Sequence, residues 1–91
     1  MDSDKQWRID NAKRLRGLQL QLRHYTAWSK EWDHDHCAAC WAKFAESEGS
    51  GIQHEGYATG REYGKRAGYE WVCSQCFTDL KTEMKWTEAS P

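Results

Sequence analysis

Cys37-Ala-Ala-Cys40 and Cys73-Ser-Gln-Cys76 hold all four cysteines of this 91-residue chain, and these two pairs decide how the rest is read. Two residues between paired cysteines let both sulfurs turn toward one point, and two such pairs supply the four soft ligands of a tetrahedral Zn2+ site. The 32 residues between Cys40 and Cys73 exceed the spacing of about 15 to 20 in the commonest four-cysteine pattern, so the connection must hold structure of its own. The competing readings are disulfides in a secreted domain, ordinary buried thiols, and a redox or iron-bearing site. Residues 1–30 show no apolar core of the kind a signal peptide requires. Bridges within each pair would close only tiny loops, which stabilises little and strains the geometry. One structural zinc ion held by Cys37, Cys40, Cys73 and Cys76 is therefore the expectation.

A chain of this length is expected to form a single domain, near the size where one apolar core is barely sufficient and a metal staple is commonly added. The expected division is an N-terminal helix over 1–33, a zinc module over 34–86 and a tail over 87–91. The formal net charge of −1 is unevenly spread. Residues 1–30 hold seven Lys/Arg against three acids, and residues 31–91 hold six against eleven. That asymmetry bears on partners and encounter rates rather than on fold. Six Trp, four Tyr and two Phe offer apolar area for a core and for contact surfaces. No stretch of eighteen apolar residues and no lipidation motif is present, so a soluble, cytoplasmic protein without a membrane partner is expected.

Taken in order, Ser3-Asp-Lys-Gln6 fits a capping box and predicts a helix start. From Ile9, the residues Ala12, Leu15, Leu18, Leu22, Tyr25, Trp28 and Trp32 recur at steps of three or four, which predicts one long helix over residues 4–32. Gly17 and the off-stripe Leu20 allow a bend. The stripe would pack in part on the zinc module, with the remainder buried against a second protein or forming a homodimer seam. Arg8, Arg14, Arg16 and Arg23 would give this helix a basic face, open to a protein or a phosphate backbone. His34 and His36 precede Cys37 in Glu31-Trp-Asp-His-Asp-His-Cys37, where they are candidates for support around the metal ligands, as is His54. Alternating residues of an extended segment point to opposite sides, so Asp33, His34, Asp35 and His36 cannot all converge on a second ion.

Residues 37–46 suggest a short helix leaving the first cysteine turn, followed by a glycine-rich loop. Residues 52–59 and 69–72 read as two strands joined by a long connection that displays Arg61, Tyr63 and Arg66. Phe77, Leu80 and Met84 share one helix face, which places Cys76 in the first turn of a terminal helix. There the helix dipole favours a thiolate.

A cysteine turn, a two-stranded ribbon and a second pair that starts a helix resemble a treble-clef zinc finger over residues 37–86. By that resemblance the four cysteines would be the ligands. The runs around His36-Cys-Ala-Ala-Cys-Trp-Ala-Lys-Phe44, His54-Glu-Gly-Tyr57 and Trp71-Val-Cys-Ser-Gln-Cys-Phe77 are also similar to small bacterial zinc-binding proteins. The resemblance spans many functions. Its His-Asn-His nuclease branch needs a ribbon histidine and an open metal position, with His54 as the candidate, yet residues 77–91 contain neither histidine nor asparagine. Rubredoxin-like electron transfer shares only the cysteine pairs, because Trp41 and Phe77 replace the usual glycines.

The fold class expected is therefore α+β: a long N-terminal helix plus a treble-clef-like Zn(Cys)4 module with a β-hairpin and a C-terminal helix. The function expected is a non-catalytic adaptor or inhibitor that binds another protein through Arg8, Arg14, Arg16, Arg23, Trp28, Trp32, Arg61, Tyr63 and Arg66. The alternative is a nucleic-acid binder using the basic front helix, and a small metal-dependent nuclease ranks below both.

Overall fold

The computed structural model describes residues 3–27, 34–60, 63–64 and 67–89. Helix α1 covers Ser3–Ala12 and tightens into a 3-10 turn over Lys13–Leu15. The chain then reverses at Gly17, whose φ of 81° lies in the left-handed region that glycine enters without a steric penalty. Beyond it comes strand β1, Gln19–His24. The long helix expected over residues 4–32 is thus corrected to ten residues and one short turn. Leu18, Leu22 and Tyr25 satisfy a helical step, but Gln19-Leu-Gln-Leu-Arg-His24 equally alternates with the period of a strand. The backbone break at Gly17 and the pairing available from the rest of the sheet decide between them. Trp28 and Trp32, at the end of that stripe, lie outside the described residues.

Strands β2 (His34–His36) and β3 (Lys43–Ala45) form an antiparallel ribbon, with His36 opposite Lys43 and Asp35 opposite Phe44. The helix expected to leave the first cysteine turn is therefore a strand. Trp41 adopts φ 70°, which reverses the chain after Cys40 and feeds it back along β2. Strands β4 (Glu55–Thr59) and β5 (Trp71–Cys73) pair antiparallel; β4 lies inside the segment 52–59 read as a strand, and β5 overlaps 69–72 but runs one residue further. Helix α2 follows directly as Ser74–Met84, so Cys76 lies in its first turn as expected. Lys85 ends that helix in the left-handed conformation, its N–H reaching Lys81 O and Thr82 O. The stretch 87–91, read as a tail, instead begins with β6 (Thr87–Glu88), which pairs parallel with β1. Unpaired β1 edge groups explain this: Ala89 N–H donates to Leu20 O at 2.7 Å.

The main sheet has the order β5-β4-β1-β6. One face takes α2, where the Phe77 ring stacks on Tyr57 at 3.7 Å and Trp86 stacks on Phe77 at 5.9 Å. Gly56 and Ala58 alternate with Tyr57 and so line the opposite face, which the β2–β3 ribbon covers. Phe44 fills it, with ring centroids 5.8 Å from Tyr25 and 5.4 Å from Trp71. Position 56 must be glycine, since a Cβ there would lie 2.7 Å from the Phe44 ring and 2.8 Å from Val72 O. Tyr25, Phe44, Leu15, Leu20, Leu80 and Met84 are almost wholly removed from solvent. Aromatic area therefore supplies much of a core that so short a chain could not build from aliphatic residues alone. α1 and the 3-10 turn after it seal the remaining side by burying Ala12 and Leu15, and the Trp86 indole donates to Leu15 O at 2.9 Å. The α+β class holds, and among the described residues no helix is long and apolar enough to cross a membrane.

Candidate metal centre

The first cysteine pair sits at the tip of the β2–β3 ribbon. Cys37 N–H donates to Ala42 O at 2.8 Å and Trp41 N–H donates to Cys37 O at 3.0 Å, which closes the turn. Ala38 N–H donates to Trp71 O at 2.8 Å, fastening that turn against β5. The second pair starts on β5 and ends in α2: Cys73 is the extended residue capping the helix, and Cys76 lies one turn inside. Cys73 is paired with Gly56 and so points to the same sheet face as the ribbon. Backbone register thus brings together two pairs separated by 32 residues.

All four sulfurs lie within 4.8 Å of one another, and Cys40 Sγ and Cys73 Sγ are 3.6 Å apart. A tetrahedron of sulfurs bonded at about 2.3 Å to one zinc ion has edges of about 3.8 Å. The donor set therefore fits such an ion in both chemistry and span. Cys37, Cys73 and Cys76 are buried and Cys40 is partly exposed, and all four are free thiols rather than disulfides.

Cys37 is the focus of the hydrogen bonding. Its sulfur accepts from the backbone N–H groups of Cys73 at 3.3 Å, Ala39 at 3.4 Å and Cys40 at 3.5 Å. The Cys73 and Cys76 thiols facing it, with those amides, bring its pKa down to about 2 against the opposing effect of burial. The same interaction with Cys37 pushes Cys73 up to about 12 and raises Cys76 as well, with burial adding to both. A divalent cation at the centre reverses this logic, because its charge lets all four sulfurs be thiolates together.

Arg8 of α1 reaches a sulfur with its side chain. Its Nη1 lies 3.6 Å from Cys76 Sγ and 3.0 Å from Asp79 Oδ2. Gln75 Nε2 steadies the other Asp79 oxygen at 2.9 Å, and Arg8 followed by Gln75 holds that carboxyl below the usual carboxylate range. Asn11 Nδ2 donates to Ala39 O at 2.9 Å, so α1 contacts both cysteine turns. Lys5 pairs with Glu83 further along α2 and lowers its pKa. Arg8→Ala is expected to weaken metal affinity by about 10- to 100-fold, as losses of outer partners of metal ligands do. Competition with a chromophoric chelator measures this, while far-ultraviolet circular dichroism of the metal-loaded variant stays near wild type.

Of the residues expected to meet a partner, Arg8 is engaged as just described. Arg14 grips Glu70 with Nε and Nη2, each at 2.8 Å, and Tyr63 donates to the same carboxylate at 3.3 Å. Arg16 and Arg23 are exposed, and Arg61 and Arg66 lie outside the described residues together with Trp28 and Trp32. The three histidines have their own settings. His54, one residue before β4, is bonded through Nε2 to Ser47 O at 2.9 Å. His34 and His36 meet ring to ring at 5.0 Å, and His36 lies 6.1 Å from the Trp41 ring. Sequence reasoning missed Arg8, Asn11 and Asp79 as supports of the site. Only the i, i+3 relation between Cys76 and Asp79 was visible in advance. Compared with protein-family models, curated proteins and solved structures, the chain finds no match in any of the three.

Proposed function

We propose that the chain is a non-catalytic, zinc-stabilised binding protein, with a treble-clef-like Zn(Cys)4 centre and a protein partner that docks at the first cysteine turn. The observation that carries the binding role is Trp41: it is 60% exposed and held at φ 70°, a conformation side chains rarely adopt. Strain and apolar exposure on one residue are both unfavourable for folding, and such positions concentrate where the side chain is used. Tryptophan is also one of the residues enriched at interface hot spots. The non-catalytic part of the reading rests on the ligand set: four thiolates complete a tetrahedral shell and leave no position for water or substrate.

Several of the cations that a nucleic-acid reading would use are occupied within the molecule. Lys5, Arg8 and Arg14 face Glu83, Asp79 and Glu70. That leaves less positive charge for a phosphate backbone and favours the protein partner.

Trp41→Gly separates binding from folding. Glycine adopts positive φ without cost, so the variant is expected to be as stable as wild type or more stable by up to about 1 kcal/mol, with its metal retained. Its partner complex, isolated with the wild-type protein as bait, is expected to be lost and to show little salt dependence in the wild type. A variant that binds as well as wild type, or binding that weakens steeply with salt in the manner of phosphate contacts, contradicts the reading.

A further inference from the structure

His34 and His36 lie outside the sulfur cluster, two residues apart on β2, and so project from one face of the ribbon. Asp35 between them points the other way, where its Oδ2 accepts the Tyr25 hydroxyl at 2.8 Å. The two imidazole centroids are 5.0 Å apart, and the His36 ring is exposed. An ion bound at about 2.0–2.1 Å by one nitrogen of each ring would leave the ring centres about 4.5–5.2 Å apart, for bond angles between octahedral and tetrahedral. The observed spacing falls within that interval. We infer that His34 and His36 form a second metal site, a surface chelate for one borderline divalent transition ion, with water completing the coordination shell. Two imidazoles suit nickel, copper and zinc, and they discriminate against calcium and magnesium, which take oxygen ligands.

Lys43 stands directly opposite His36 in the ribbon register and is exposed. Its ammonium places a positive charge on the same face and opposes cation binding, so Lys43→Ala should tighten the site. The Trp41 indole, 6.1 Å from His36, is close enough for a bound paramagnetic ion to quench its emission.

The test is titration of the zinc-loaded protein with nickel chloride, followed by Trp41 fluorescence and calorimetry, with native mass spectrometry reporting retained zinc. The expected result is one Ni2+ bound in addition to the zinc. His34→Ala and His36→Ala should each weaken it by about tenfold or more, at least what loss of an outer partner costs a metal site. His54→Ala should leave it unchanged, and Trp41→Phe should remove the optical signal but not the heat. Absence of saturable binding up to millimolar nickel, equal binding by both histidine variants, or nickel appearing only by displacing zinc from the sulfurs would overturn the inference. Failure here leaves the four-cysteine centre untouched, since retained zinc is read separately.

Discussion

Cys73→Ser is expected to abolish tight metal binding and, with it, the cooperative unfolding transition of the chain. Cys73 does three things at once. It ends β5 opposite Gly56, caps α2 with extended backbone, and places its sulfur 3.6 Å from Cys40 Sγ. Structural zinc in small modules contributes apparent binding energies of about 10–16 kcal/mol at neutral pH. The net stability of an ordinary small domain is about 5–15 kcal/mol, so little folded protein remains once the ion is lost. A serine hydroxyl keeps the shape but not the soft anionic donor. The remaining three cysteines come from two segments, the first cysteine turn and the start of α2, which meet through the metal and a few backbone contacts such as Ala38 N–H to Trp71 O. Thermal unfolding followed by circular dichroism, with metal content measured on the same sample, checks this. A serine variant that melts with the wild-type midpoint would show the centre to be dispensable.

Phe44→Ala is expected to destabilise the metal-loaded protein by about 3–5 kcal/mol, the usual cost of removing a buried ring. Phe44 is fully buried, meets Tyr25 and Trp71, and occupies the volume that Gly56 leaves open. Neither neighbour can collapse into the space, because Tyr25 is fixed through its hydroxyl to Asp35 and the Trp71 indole donates to Gly68 O at 3.0 Å. The cavity also unseats β3, and with it the turn carrying Cys37 and Cys40, so metal affinity is expected to fall along with stability. Denaturant titration of the zinc-loaded variant gives the first quantity and chelator competition the second. A loss below about 1 kcal/mol would mean the ribbon does not rest on this ring.

The parts of the fold set by short-range chemistry were legible in the sequence. Two residues between cysteines, and Phe77, Leu80 and Met84 at helical spacing, pointed to the sulfur cluster and to α2. The segments holding β4 and β5 were also visible, with ends displaced by a few residues. Segments decided by distant partners were not. Leu18, Leu22 and Tyr25 fit a helix, but Leu18, Leu20 and Leu22 equally alternate as a strand, and β1 forms because β4 pairs with it from Leu20–Thr59 to His24–Glu55. Trp41 and Phe44 suggested a helix, whereas the left-handed turn at Trp41 gives a ribbon that α1 and β5 support. Thr87 and Glu88 had no strand signal of their own and pair only because β1 offers an edge. The basic residues of the front helix read as a contact surface. The docking of α1 onto α2, a relation across the length of the chain, turns Arg8 and Lys5 inward.

Native mass spectrometry of protein prepared without chelators, combined with alkylation of the folded sample, tests the central claim most directly. The account predicts one tightly held zinc ion per chain, with Cys37, Cys40, Cys73 and Cys76 all protected from the reagent until the metal is stripped. A chain that carries no metal yet keeps its fold, or four cysteines that react freely while zinc stays bound, would contradict it.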